Sequence, residues 1–231
     1  MPWVRGVWSG MRSMLPIAAP LLVSAALVRD RGEVALRTVV LVVLCTAVVT
    51  AAQVMMALAR PASLAIRQTR ALGAQGQPII DTIGLAVFLA YVIGWLAFLP
   101  LDAARLHLLP EPPRWAAALG LLVAGLGCAL GRRAIWDNAF AAPAVQKQPG
   151  QTVVSTGAYA VIRHPLYTGN LLLFAGGSLW IGSLAGLLGV VVILAFTVAR
   201  ILVEERLLRE TLPGYAAYTR TVRARLIPFV L

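Results

Sequence analysis

Charged residues are scarce in this chain of 231 residues. They make up 13% of the sequence, against roughly 25% in an average soluble domain, and hydrophobic residues reach 60% rather than roughly 45–50%. This composition excludes an ordinary water-soluble domain. Cysteine is also rare, and both cysteines, Cys45 and Cys128, lie inside apolar stretches. We interpret them as packing residues, with no disulfide and no metal site.

Two motifs that are common in soluble enzymes are also missing. We find no Ser-His-Asp or Cys-His set of the kind that activates a nucleophile. The lone Gly-x-Gly of Gly125 to Gly127 lies within an apolar stretch, so it has no strand before it and no Rossmann context. Any chemistry of this chain must therefore depend on a different kind of site.

Long hydrophobic runs are what the sequence does have. They lie at about 14–28, 38–59, 79–101, 115–131, 166–181 and 183–203, and a helix needs about 20 apolar residues to cross a bilayer. The first run is short, contains Pro16 and Pro20 and follows Arg5 and Arg12, so a cleavable signal peptide is an alternative for it. We predict an all-α, polytopic membrane bundle of five to six transmembrane helices.

The basic residues are distributed unevenly along the chain, which carries 20 Lys and Arg against 9 Asp and Glu. With six crossings, segments 1–13, 60–78, 132–165 and 204–231 together with Arg200 hold 15 of these 20 residues on one side. The positive-inside rule then places that side and the C-terminus in the cytoplasm, and we expect a bacterial inner (plasma) membrane. Topology therefore explains the net charge of +11 without a nucleic-acid partner.

The chain is predicted to have two parts, with transmembrane helices over 1–131 and a C-terminal core over 132–231. The core begins with the longest polar connection, 132–165, and long connections are usually functional or disordered. The last two apolar runs then form a hairpin that turns at Gly182. Equal distances from this turn place His164 level with Arg200, and Glu204 lies one helical turn further on the same face.

A polar cluster stands at the entry to this hairpin. Pro165 suits the first position of a helix, and the free backbone amides that follow it can bind a carboxylate. Across from it, Arg200 and Glu204 stand near the predicted membrane boundary, where ionisable groups need a partner or a polar cavity. A simple Arg200–Glu204 ion pair and an ordinary interfacial His164 are the alternatives to a functional site.

Several spaced motifs connect this cluster to a known superfamily. They are Gly157-Ala158-Tyr159, Arg163-His164-Pro165-Leu166-Tyr167-Thr168-Gly169, Glu204-Glu205, Tyr215, Tyr218 and Arg225-Leu226-Ile227-Pro228. In this order and spacing, residues from about 138 to 229 resemble the isoprenylcysteine carboxyl methyltransferases and the phospholipid methyltransferases. The preceding spans match that superfamily only in being hydrophobic.

The resemblance implies an S-adenosylmethionine-dependent methyltransferase, whose product is S-adenosylhomocysteine, with a cytoplasmic cofactor pocket and a lipophilic acceptor that enters from the bilayer. It assigns the acceptor to Arg200, and we group Arg163 with it as the second candidate catalytic residue; no metal is expected. The implied cofactor-binding residues are Gln146, Gln151, Thr152, Val153, Val154, Tyr159, His164, Pro165, Leu166, Tyr167, Glu204 and Glu205.

Two other functions remain open from the sequence. Sterol-type reductases that use NADPH share a related Arg-His-Pro-x-Tyr ending, and a membrane scaffold or transporter subunit would also be rich in apolar helices. The acceptor is open as well, since a carboxylate, an amine, a thiol or a lipid headgroup would each suit part of the cluster. The sequence makes no prediction of oligomeric state.

Overall fold

Helices make up most of the computed structural model, which describes residues 1–28, 32–61, 79–140 and 150–228, with the backbone alone for 79–82. The long helices are α1 (Pro2–Leu27), α2 (Gly32–Ala59), α3 (Ile79–Leu101), α4 (Arg114–Asp137), α5 (Pro165–Ile181) and α6 (Leu184–Thr211), and a short helix α7 (Tyr215–Thr221) follows. A π turn, Asp102–Leu106, ends α3, and a 3-10 turn, Gly157–Ala160, precedes α5. These ranges contain no strand, and the predicted all-α class is confirmed.

Five of the described helices are long and apolar enough to cross a membrane: α1, α2, α3 with its π turn, α4 and α6. Helix α5 has 17 residues and is shorter than these. Many large apolar side chains on the long helices point outward, such as Leu36 on α2, Leu122 on α4 and Val191 on α6. Exposed apolar surface of this extent suits hydrocarbon rather than water. The chain is therefore an integral membrane protein.

Several predicted boundaries differ from the structure. Helix α2 begins at Gly32 rather than at residue 38, and α6 continues beyond the apolar run to Thr211. Helix α1 begins at Pro2 rather than near residue 14 and continues through Pro16 and Pro20, since packing against neighbouring helices makes proline tolerable within a membrane helix. Helix α4 runs to Asp137 rather than to residue 131, so the polar connection begins at Asn138. An ion pair of 2.9 Å between Arg133 and Asp137, one turn apart, stabilises this added polar turn.

Helices α4 and α5 pack with their backbones in contact. A Cβ atom added at Gly127 would lie 2.5 Å from the carbonyl oxygen of Gly169, and one added at Gly169 would lie 2.7 Å from the carbonyl oxygen of Gly127. Small residues permit such close approach in membranes, where packing rather than the hydrophobic effect joins helices. This close packing fixes α5 against the end of α4.

The α5–α6 hairpin turns where predicted. Gly182 ends α5 with a φ of 100°, a left-handed conformation that glycine adopts readily. The Ser183 side chain caps α6 by accepting a hydrogen bond of 2.9 Å from the amide of Gly186, and it donates one of 2.6 Å to buried Asp102. The turn end of the hairpin is thus fixed to α3. At the other end, the first turn of α5 faces the last turns of α6.

The apolar core lies between the long helices. Its most buried members include Leu21 on α1, Leu99 on α3, Ile181 on α5 and Ile193 on α6. Cys128 is buried in a smaller cluster with Met14 and Val49, and Cys45 packs against that cluster; both cysteines are free thiols.

Candidate functional site

A cavity opens at the end of the hairpin where α5 begins and α6 ends. It encloses about 660 Å³ of empty space, including the space at its mouth. Helices α5, α6 and α7 and the extended segment 151–154 provide its walls. The lining residues are Asn138, Phe140, Gln151, Thr152, Val153, Val154, Tyr159, Arg163, His164, Leu166, Tyr167, Glu204, Leu208, Leu212, Tyr215 and Tyr218.

The turn that carries Tyr159 is fixed by the end of α4. The carboxylate of Asp137 accepts a hydrogen bond of 2.9 Å from the amide of Ala158. Gly157 has a φ of 61°, and a Cβ atom there would collide with that carboxylate. On the other side, the hydroxyl of Tyr218 donates a hydrogen bond of 2.8 Å to the carbonyl of Tyr159. Tyr159 is therefore positioned by α4 and α7 together.

The segment after α7 folds back onto the entry of α5. The amides of Arg163 and His164 donate hydrogen bonds of 2.9 Å each to the carbonyls of Ala224 and Arg225. The hydroxyl of Thr168 donates another, of 2.8 Å, to the carbonyl of Leu226. These bonds pair the two amides that precede α5 and one hydroxyl of its first turns with carbonyls of the returning segment. The returning segment thus holds the first turn of α5 in place.

Glu205 is the electrostatic centre of this arrangement. Its carboxylate lies 2.9 Å from Arg163 Nε, 3.2 Å from His164 Nε2 and 3.2 Å from Arg225 Nε. The residue is 3% exposed and does not line the cavity. Buried charge is stable only when it is paired, and Glu205 pairs with the α5 entry and with the returning segment. It connects three parts of the chain behind the cavity wall.

Two linked hydrogen bonds between polar side chains lie at the front of the cavity. Arg200 Nε donates a hydrogen bond of 3.1 Å to the hydroxyl of Tyr167, which in turn donates one of 2.9 Å to the carboxylate of Glu204. Tyr167 belongs to the first turn of α5, whereas Arg200 and Glu204 stand one turn apart on α6. All three side chains are half-buried. A cation, a phenol and an acid are thus aligned across the open end of the hairpin.

Two further phenols stand on α7, outside the membrane-spanning helices. Burial, with the nearby acids Glu204 and Glu205 as a lesser cause, raises the pKa of Tyr215 above its usual value. Burial also raises the pKa of Tyr218, and the neighbouring Tyr159 adds to the effect. Both hydroxyls therefore keep their protons at neutral pH and can serve as hydrogen-bond donors.

The structure brings most of the predicted site residues to one cavity. Those that line it are Gln151, Thr152, Val153, Val154, Tyr159, Arg163, His164, Leu166, Tyr167 and Glu204. Pro165, Arg200 and Glu205 adjoin the lining without belonging to it. Pro165 is the first residue of α5, as predicted. Gln146 lies outside the described residues.

The predicted register of the hairpin is about one helical turn off. His164 meets Glu205 rather than Arg200, and Tyr167 takes the position facing Arg200. Two features contribute to this offset. Gly182 and Ser183 both lie between the two helices, so the centre of the turn falls after Gly182. His164 also lies outside α5, with φ −125° and ψ 57°, and residues outside a helix advance further than the 1.5 Å per residue that the prediction assumed.

Sequence reasoning missed six lining residues: Asn138, Phe140, Leu208, Leu212, Tyr215 and Tyr218. The two tyrosines belonged to the motif pattern but received no site role. Their spacing of three residues, directly after Gly214, places both rings on one face of a short helix. That spacing was the available signal. Leu208 and Leu212 continue the face of Glu204 along α6, also at helical spacing.

Comparison with known proteins identifies relatives of this part of the chain. Residues 115–213 match the phospholipid methyltransferase family. The cobalt-zinc-cadmium resistance protein CzcN of Cupriavidus metallidurans is 32% identical over 115 residues, which are 48% of this chain and 50% of that relative. The chain thus spans about half the length of this curated relative.

Proposed function

We propose that this protein is a membrane methyltransferase that takes its methyl group from S-adenosylmethionine and transfers it to a lipophilic acceptor, and the match of residues 115–213 to the phospholipid methyltransferase family supports this proposal. The observation that carries the proposal is the pair of hydrogen bonds that joins Arg200, Tyr167 and Glu204 at the cavity edge. These bonds connect Arg200, which we propose to contact the acceptor, with Tyr167 and Glu204, which we propose to bind the cofactor.

The lining of the cavity suits the chemical groups of this cofactor, which carries a sulfonium, an amine, a carboxylate and an adenine. Glu204 offers negative charge to the cationic groups. The first amides of α5 suit a carboxylate. The structure shows no backbone-to-backbone hydrogen bond between residues 152–154 and any other described residue. We therefore propose that their peptide groups form hydrogen bonds with the edge of the adenine ring. Tyr159 and Tyr215 add aromatic surface beside them.

The bound cofactor would supply an electrophilic methyl group, and the protein's contribution is alignment. In-line displacement depends on holding the two reacting atoms close and oriented. Arg200 stands about 6 Å deeper along α6 than Glu204, at 1.5 Å per residue, so we assign it to the acceptor on the side towards the hydrocarbon. Its planar guanidinium suits a carboxylate or phosphate group.

The surroundings of the two candidate general bases, His164 and Glu205, help to decide which kind of acceptor the site can methylate. An ammonium acceptor must lose a proton to such a base before it can attack. The Glu205 carboxylate is paired with Arg163 and Arg225, and the Nε2 atom of His164 contacts the same carboxylate, so the two candidate bases are already engaged with each other. We therefore favour an acceptor that is nucleophilic without losing a proton, such as a carboxylate on a lipophilic molecule.

The proposal can be tested with purified protein in nanodiscs, S-adenosylmethionine labelled in its methyl group, and total bacterial membrane lipid. We expect label in a lipid-extractable product, and alkaline hydrolysis should release it as methanol if the product is a methyl ester. A labelled product that resists alkaline hydrolysis would support methyltransferase activity but exclude a carboxylate as the acceptor group. The absence of both lipid labelling and S-adenosylhomocysteine binding would contradict the proposed function.

A further inference from the structure

Tyr167 occupies the position between the residue assigned to the acceptor and the acid assigned to the cofactor. Its hydroxyl accepts a hydrogen bond from Arg200 at 3.1 Å and donates one to Glu204 at 2.9 Å. A phenol can accept and donate at the same time, whereas a guanidinium only donates and a carboxylate only accepts. Both bonds involve a charged partner, which makes them stronger than bonds between neutral groups.

The tyrosine is also a more rigid element than either partner. Free Arg and Glu side chains have many rotamers to lose when they are ordered, whereas a tyrosine ring has only two side-chain torsions. The Tyr167 ring packs beside the His164 ring, with centroids 5.7 Å apart. His164 is in turn held by Glu205 through its side chain and by Arg225 through its backbone amide. A fixed ring therefore presents one hydroxyl to two flexible side chains.

We propose that Tyr167 is a positioning residue that orients Arg200 and Glu204 together, so that the acceptor half and the cofactor half of the site are aligned by one hydroxyl. This inference rests on the proposed function. A purely structural role is the alternative, in which the hydroxyl serves only to tie α5 to α6.

The chain offers a matched control for that structural role. The hydroxyl of Tyr91 donates a hydrogen bond of 3.1 Å to the carbonyl of Gly189 and so ties α3 to α6, on the far part of α6 from Glu204. Tyr91→Phe and Tyr167→Phe each remove one hydroxyl that joins two helices while keeping the ring. We expect similar, small decreases in thermal stability for both variants.

The two variants should differ in cofactor affinity and in the rate of methyl transfer. Tyr167→Phe should weaken S-adenosylhomocysteine binding about three- to tenfold and slow methyl transfer to total membrane lipid by more than about tenfold, as misalignment does. Tyr91→Phe should leave affinity and rate within about twofold of the wild type. Equal effects of the two variants on affinity and rate would overturn the positioning role.

Double-mutant cycles provide the sharper test. If Tyr167 acts through Glu204, Tyr167→Phe should change S-adenosylhomocysteine affinity little in a Glu204→Gln background. If it acts through Arg200, it should change the transfer rate little in an Arg200→Lys background. If the effects of the two substitutions multiply in both cycles, Tyr167 acts independently of Glu204 and of Arg200. That result would overturn the inference while leaving the proposed function intact. Wild-type protein that fails to bind S-adenosylhomocysteine would instead overturn the proposed function, and this inference with it.

Discussion

Glu204 and Glu205 are neighbours in sequence, yet their carboxylates lie in different surroundings. Glu204 faces the cavity and is bonded to Tyr167. Glu205 points the other way, towards Arg163, His164 and Arg225. The difference arises because adjacent residues on a helix are about 100° apart, so the two acids cannot share a face. We therefore propose that Glu204 serves binding and that Glu205 serves stability.

For Glu204 we predict a loss of binding without a loss of folding. Glu204→Gln removes the charge but keeps the shape, and a lost charge-assisted contact costs about 1.5–3 kcal/mol, or about ten- to a hundredfold in affinity. Calorimetric titration with S-adenosylhomocysteine measures this directly. Glu210→Gln, which changes an exposed acid of the same helix, should bind as the wild type does. Equal affinities for the two variants would exclude Glu204 from the site.

For Glu205 we predict the opposite pattern. Glu205→Gln leaves buried Arg163 and half-buried Arg225 without their shared counter-charge, and breaking a buried pair costs about 3–5 kcal/mol. Thermal unfolding in detergent should show a large decrease in stability, with Glu210→Gln again as the control. A Glu205→Gln variant as stable as the wild type, with cofactor affinity reduced, would instead return Glu205 to the cofactor site.

The role of Arg200 can be tested by a conservative change. If its planar group orients the acceptor, Arg200→Lys should slow methyl transfer nearly as much as Arg200→Ala, because lysine keeps the charge and loses the fork. Cofactor affinity should change much less than the rate in both variants. Arg206→Lys, an exposed position one and a half turns further along α6, should remain active. An active Arg200→Lys variant would support a simple ion pair with Glu204.

At the scale of elements, the direct contact of α4 with α5 connects the membrane helices to the site. We predict that Gly127→Ala destabilises the protein by about 1–3 kcal/mol, as overpacking typically does, because its Cβ would meet the backbone of Gly169. Gly125→Ala is the matched control, since a Cβ atom there has no neighbour within 4 Å among the described residues. Thermal unfolding of both variants tests this, and equal stabilities would contradict the observed packing.

The elements were predictable to different degrees. The apolar runs predicted α3 and α5 closely because most residues of these two helices are apolar. The end of α4 was missed because a helix that leaves the bilayer becomes polar and then resembles a loop. The cavity roles of Tyr215 and Tyr218 were missed because they depend on the pairing of residues 163–164 with 224–225, some 60 residues apart. Local patterns do not encode a contact of that range.

At the scale of the whole molecule, the proposed orientation places the cavity in the cytoplasm, where a water-soluble methyl donor could meet a membrane-soluble acceptor. The 15 to 5 division of basic residues supports this orientation. Alkaline phosphatase and green fluorescent protein fused after Leu231 should give low phosphatase activity and bright fluorescence. The reverse signals would place the C-terminus, and the α6 end of the cavity with it, outside the cytoplasm.

Equilibrium binding to the wild-type protein would decide whether the cavity binds S-adenosylmethionine. Purified protein in nanodiscs would be titrated calorimetrically with S-adenosylhomocysteine and, separately, with NADPH. We predict saturable, one-to-one binding of S-adenosylhomocysteine and no binding of NADPH. Binding of NADPH alone would favour a sterol-type reductase, and binding of neither would favour a scaffold or transporter subunit; each result would contradict the claim.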